Sequence, residues 1–213
     1  MIDSKVRGKF PDLEVRLKSV GGITIERESD ALEKLKSQVA REVKETYDLE
    51  TLKDDPDFRK YRDFFWKIDI DPTKIRPASE ALIRRILQGK TLPTINTGVD
   101  AYNLASIKSS VPLAAFDKGK LKGELSMMFA NGGEEFFGIG MKRLKILAGN
   151  EIIIKDEEKL IAIYPYRDAD DSKVTFDTKE ILLMSCGVPG VTSEKLEEAV
   201  NLAGEYLARY CKG

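Results

Sequence analysis

Three short stretches of this chain place polar side chains where packing alone does not call for them. Arg76 and Glu80 flank a helix start in Arg76-Pro77-Ala78-Ser79-Glu80. Asn96, Asp100 and Asn103 fall within Asn96-Thr97-Gly98-Val99-Asp100-Ala101-Tyr102-Asn103, with Asp100 and Asn103 three apart and so on one helical face, near Val99 and Tyr102. Arg167 and Asp168 close an apolar run in Tyr164-Pro165-Tyr166-Arg167-Asp168. Guanidinium, amide and carboxylate groups of this kind grip a polar or charged ligand by directed hydrogen bonds. Each also has a plainer use. Asn96 and Asp100 suit caps on helix amides, Arg76 and Glu80 a helix-surface pair, and Arg167 and Asp168 a surface ion pair.

The chain contains no histidine. That excludes Ser-His-Asp and Cys-His nucleophiles, an imidazole base and the common histidine metal sites. The two cysteines, Cys186 and Cys211, form no CxxC pair and read as buried thiols. Asp168, Asp170 and Asp171 read as a solvated acidic turn rather than a magnesium site, and Gly138-Ile139-Gly140 lacks the third glycine of a dinucleotide fingerprint. We therefore expect no metal and no cofactor.

The elements that must position these groups follow from periodicity. Residues 13–17 alternate as a half-buried strand before Gly21-Gly22. A helix starts near Ser29 or Asp30, where Asp30 and Glu33 suit a capping box, with Leu32, Leu35, Val39 and Val43 at helical spacing. A second follows Asp55-Pro56, with Phe58, Tyr61, Phe65 and Ile68 on one stripe; Phe64, Phe65 and Trp66 read as core rather than as a base-stacking platform. Short helices are expected over 78–87 and 99–107, and strands at 112–116, 125–130, 135–139, 151–154 and 160–164. Two helices, near 176–186 and over 193–210, close the chain. The order gives an α+β fold with antiparallel-rich sheets and flanking helices. We read residues 1–213 as one unit, 1–55 being an N-terminal strand/helix arm on a 56–213 core.

An apolar content of 42% with 33% charged residues describes a soluble globular protein, and no apolar run suits a membrane span. The charged N-terminus lacks a secretory h-region, which makes the expected location cytoplasmic. The net charge is −1 but unevenly spread: residues 58–148 carry 16 Lys and Arg against 9 Asp and Glu, a net of +7, and the rest sums to −8. A basic middle suits an anionic ligand.

At these same segments the sequence resembles the B3/B4 domain of the phenylalanyl-tRNA synthetase β subunit, and more closely its freestanding relatives. The likeness is carried by Tyr61-Arg62-Asp63-Phe64-Phe65-Trp66, by the run from Ile70-Asp71-Pro72 through Arg76-Pro77-Ala78-Ser79-Glu80-Ala81-Leu82, and by residues 96–106, 111–117 and 161–178. The resemblance implies sheets with flanking helices and an RNA partner, the aminoacyl 3′ end of tRNA, with no DNA and no membrane. It also implies the activity of that module, which hydrolyses tyrosine wrongly esterified to the phenylalanine tRNA. Two departures stand out. Synthetase forms carry a histidine in a Pro-x-His-Ala-Phe-Asp stretch, where this chain has Ala114 in Pro112-Leu113-Ala114-Ala115-Phe116-Asp117. Their Gly-Gly-acid segment is replaced by Tyr164-Pro165-Tyr166-Arg167-Asp168. Both lie where the synthetase handles the amino acid, so tyrosine specificity does not carry over. An aminoacyl ester is already activated, and a terminal ribose hydroxyl can help deprotonate water, so hydrolysis needs no imidazole. The expectation is a freestanding aminoacyl-tRNA deacylase whose substrate-binding residues come from Arg76, Glu80, Asn96, Asp100, Asn103, Ala114, Arg167 and Asp168. The alternatives are a non-catalytic tRNA- or RNA-binding module, and an amino-acid-binding protein that has lost RNA.

Overall fold

Most helices begin at a side chain that satisfies free backbone amides. In the computed structural model, which describes residues 1–212, the Asp3 carboxylate opens α1 (Ser4–Lys9) by accepting from the Val6 N–H at 2.8 Å. β1 (Val15–Gly21) follows, then α2 (Asp30–Thr46). The capping box expected of Asp30 and Glu33 does not form. Ser29 holds the cap position, and the Glu33 carboxylate accepts instead from Lys36 at 2.6 Å and Thr94 at 3.2 Å. Asp55 caps α3 (Pro56–Lys67), whose first residue, Pro56, needs no amide partner. α4 (Ala78–Leu87) follows, and Asn96 caps α5 (Thr97–Ser109) by accepting from the Val99 N–H at 2.8 Å.

The second half is mainly β: β2 (Leu113–Asp117), β3 (Ser126–Phe129), β4 (Glu135–Phe136), β5 (Lys145–Ile146), β6 (Ile152–Lys155), β7 (Leu160–Ile163), β8 (Arg167–Asp168) and β9 (Glu180–Cys186). α6 (Ser193–Tyr210) ends the chain with Leu196, Ala199, Val200, Ala203 and Leu207 buried on one face, against α5 and β1. Among the described residues the named strands pair antiparallel: a three-stranded sheet ordered β1-β9-β2, a four-stranded sheet ordered β3-β6-β7-β8, and a β4-β5 hairpin, with one parallel bridge from Ile2 to Met127 of β3. The fold is α+β, as the element order implies.

One element changes identity. The helix expected near 176–186 is β9, the middle strand of the first sheet. Its run Ile181-Leu182-Leu183-Met184 is apolar without interruption, a pattern that periodicity cannot divide between a buried helix and a central strand. The pairing Leu113 to Ser185 and Val15 to Cys186 places β2 and β1 on either side of it.

Alternation lets β6 serve two cores. Ile152 and Ile154 join the main core, which also takes Phe58, Tyr61, Phe64 and Phe65 from α3. Ile153 packs with Ala130, Phe136 and Leu147 in a smaller core under the hairpin. Trp66 is 56% exposed and stands outside both. Among the described residues no helix is long and apolar enough to cross a membrane.

The two sheets are joined where β9 ends. The Tyr61 hydroxyl donates to the Cys186 carbonyl at 2.9 Å, and the Tyr164 hydroxyl, from the end of β7, donates to the Gly187 carbonyl. Gly187 has no room for a side chain: a Cβ there would overlap the Glu14 carbonyl oxygen and the Leu196 methyls. Gly187→Ala should therefore cost about 1–3 kcal/mol in a urea melt, whereas Gly8→Ala, in α1 with open space around it, should be neutral or up to about 1 kcal/mol stabilising.

Candidate functional site

The seam between the sheets holds a cavity of about 150 Å³. Leu113, Ala114 and Phe116 of β2 and Met184 and Cys186 of β9 line it from the first sheet. Ile154, Ala162 and Ile163 line it from the second, and the Tyr164-Pro165-Tyr166 turn and Asp168 complete that side. Tyr102 and Asn103 reach it from α5, and Ala78, the first residue of α4, stands at its edge. Apolar side chains and inward-turned polar groups thus share the walls, a mixed lining that can seat and orient a small ligand.

The inward direction of α5 is set by its first turn. Asp100 is buried and accepts from Lys36 of α2 at 2.8 Å and from the Ile95 N–H at 3.1 Å. Three residues along a helix is a rotation of about 60° from the starting direction, enough to split Asp100 and Asn103 between two neighbours. Asp100 therefore turns to α2, and Asn103 and the half-buried Tyr102 turn to the cavity. The shared polar face expected for Asp100 and Asn103 is divided in this way.

Of the eight residues singled out in the sequence, Asn103, Ala114 and Asp168 come together on this cavity. The other five do not line it. Glu80 is fully buried and accepts from Arg62 at 2.9 and 3.2 Å, tying α4 to α3. Asn96 serves as the α5 cap and Asp100 pairs with Lys36. Arg76 is exposed on a separate groove along α4. Arg167 is exposed, donates to the Ile139 carbonyl at 2.9 Å and lays its stem over Gly138. In the acidic turn, Asp170 pairs with Lys173 and Asp171 with Lys159. Sequence reasoning passed over Tyr102, Tyr166 and Cys186 as site residues. A tyrosine between two helix-facing polar residues was the available sign for Tyr102; Cys186 became legible only once β9 was known to be a strand.

Three polar groups on the cavity are unspent. Among the described residues, no side-chain hydrogen bond engages the Tyr102 hydroxyl, the Asn103 amide or the Asp168 carboxylate. Burial pushes Asp168 up to about 7, with the Arg167 guanidinium opposing it weakly. Burial, aided by the charge of Asp168, also raises the Tyr102 hydroxyl and the Cys186 thiol. Near neutral pH the site thus offers a protonated phenol and an un-ionised thiol, which is a poor nucleophile. It also offers an amide donor and a carboxyl poised between its two forms. The Tyr166 hydroxyl accepts from Lys145 at 3.2 Å and lends the wall rigidity from behind.

A two-sheet α+β scaffold with a polar-lined pocket at the sheet junction is the class these features define. Residues 60–213 match the family model described as the B3/4 domain, and the chain belongs to that family. It is 28% identical over 147 residues to the phenylalanine–tRNA ligase beta subunit of Synechocystis, an alignment covering 66% of this chain and 18% of that protein. It is 29% identical over 121 residues to the same subunit of Thermotoga maritima, covering 56% and 15% respectively. The chain thus spans less than a fifth of the length of these relatives. An N-terminal fragment of the phenylalanyl-tRNA synthetase beta subunit from Pyrococcus horikoshii shares the fold with a TM-score of 0.52 and 15% identity, over 98% of this chain and 48% of the fragment.

The Asp168 shift has a thermodynamic consequence. An aspartate at about 7 in the fold and about 3.9 unfolded binds more proton in the native state between those values, so stability falls as pH rises through that window. Asp168→Asn removes the cost. Thermal melts should show the variant about 3 °C or more above the parent at pH 8 and level with it at pH 4. An equal difference at both pH values would contradict the shift.

Proposed function

We propose that this protein hydrolyses the ester of a mischarged aminoacyl-tRNA in trans, with the amino acid seated in the cavity between the sheets. The observation that carries the reading is the convergence on one pocket of three polar groups, Tyr102, Asn103 and Asp168, that make no side-chain hydrogen bond among the described residues. Membership of the B3/4 domain family, and the names of the tRNA ligase subunits that share it, support the choice of substrate.

The chemistry fits the groups present. Ionised Asp168 pairs with the α-ammonium of the aminoacyl group. The Tyr102 O–H and Asn103 N–H are donors suited to the ester carbonyl oxygen, whose negative charge grows as water adds to the carbon. Because burial keeps the Tyr102 phenol protonated, it donates across the physiological pH range. The neighbouring ribose hydroxyl relays one proton, taking it from the attacking water as it passes its own to the ester oxygen. The acyl C–O bond then breaks, leaving the ribose hydroxyl and the free acid, which keeps the second water proton. Orientation and oxyanion stabilisation supply the rate, and no histidine is called for. Ala114 leaves space on the β2 wall for the bound group.

A panel of mischarged tRNAs incubated with the protein should yield amino acid release from at least one member. On that substrate Asn103→Ala should lower kcat by about 100-fold, the order seen when one oxyanion donor is lost. The rate should rise with pH as Asp168 ionises near 7, and that rise should vanish in Asp168→Asn. Absence of release across the panel would remove hydrolysis from the account.

A further inference from the structure

Outside the cavity, a groove of about 470 Å³ follows the outer face of α4 and gathers positive charge. Lys74 and Arg76 enter it from the preceding loop, Arg84 and Arg85 from the helix, and Lys90 from beyond the helix end. Among the described residues, no acidic side chain lines it. Lys74 alone has a carboxylate within 4.0 Å, Asp71 at 3.7 Å, and its side chain is 82% exposed. The others spend their donors on neutral acceptors or on none. Arg84 donates to the Leu49 carbonyl at 3.4 Å, Arg85 to the Thr91 carbonyl at 2.6 Å and Lys90 to the Gln88 amide oxygen at 3.1 Å. Five cations held together, four of them without a counter-charge, form a site for a polyanion.

The groove begins one helical turn beyond the cavity edge. Ala78 borders the cavity, and Ala81 and Leu82, three and four residues on, line the groove, which puts all three on one face of α4. From Ala78 to Gln88 the helix runs about 15 Å, at about 1.5 Å per residue. A stacked strand at about 3.4 Å per nucleotide places about four phosphates along that length.

We infer that the α4 groove carries the phosphodiester backbone of a single-stranded RNA end and delivers its terminal residue past Ala78 into the cavity. The inference rests on the reading of the cavity as the seat of an aminoacyl ester, and it assigns the nucleotides behind that ester to Lys74, Arg76, Arg84, Arg85 and Lys90. It also accounts for the excess of positive charge over residues 58–148, where all five residues lie.

Fluorescence anisotropy of the full chain with a labelled single-stranded RNA octamer, titrated at several salt concentrations, tests it. Four phosphate contacts predict a slope of log K against log salt of about −3. Arg76→Gln with Arg85→Gln should move that slope about 1.4 toward zero and weaken binding at least 10-fold at low salt, while Lys5→Gln, an exposed cation of α1, leaves both unchanged. Should the Arg85 change disturb folding, Lys74→Gln with Arg76→Gln alters the exposed loop alone and should produce the same slope change. Unchanged binding in both double variants overturns the groove, as does equal affinity for polyglutamate, which would make it a site for acidic protein. The two proposals separate cleanly: RNA binding that depends on the groove, in a protein that deacylates nothing, upholds the groove and removes hydrolysis. Deacylation at the parental rate in the groove variants does the reverse.

Discussion

Two tyrosine hydroxyls closing on consecutive carbonyls at the end of β9 hold the molecule's architecture together. The backbone carbonyls of Cys186, at the last ladder pairing, and of Gly187, just past it, are buried there and need partners. Tyr61 meets the first from α3, and Tyr164 meets the second from the far sheet. Each bond adds modest net stability, but leaving either carbonyl unpaired in the core would cost more than the bond contributes. The sheets are thus clamped at one place, and the space beside the clamp, bounded by Cys186, Tyr164 and Ala114, is the cavity. The site is a consequence of how the halves are joined.

A second layer of constraint decides which polar side chains belong to the fold and which are left for a ligand. Buried charges must be paired or hydrogen-bonded, and here Lys36 pairs with Asp100, Arg62 with Glu80, and Asp156 accepts from backbone amides. Those pairs lock α2 to α5 and α3 to α4, and in doing so set the rotation of α5 and the position of the α4 start. Tyr102, Asn103 and Asp168 lie just beyond these satisfied groups and, among the described residues, make no side-chain hydrogen bond. The contrast separates scaffold from site more sharply than exposure does, because Asp100 and Asn103 are close in sequence and similar in chemistry.

Much of this was legible in the chain. The helices over 78–87 and 193–210 agree with α4 and α6, because each has an unbroken apolar stripe and clear ends. The segments 112–116 and 160–164 fall on β2 and β7 within a residue or so. β9 was lost because a doubly buried strand has no period of two to display. β5 and β8, two residues each, leave no pattern at all. At the site, Asn103, Ala114 and Asp168 were reachable from residue type and from the family resemblance. The engagement of Glu80 and Asp100 in ion pairs was not, since their partners, Arg62 and Lys36, lie 18 and 64 residues away. Arg76 was noticed for its pairing with Glu80, yet its surroundings are other cations, a grouping that appears only when the loops flanking α4 are brought together.

The claim on which the account turns is that the amino acid occupies the hollow at the sheet junction. A crystal structure with a 3′-aminoacylamino-adenosine, whose amide resists hydrolysis, addresses it directly. The account predicts the aminoacyl group within hydrogen-bonding distance of Asn103 and Asp168, with the adenosine emerging past Ala78. An analogue bound elsewhere, with the cavity side chains untouched, would contradict it.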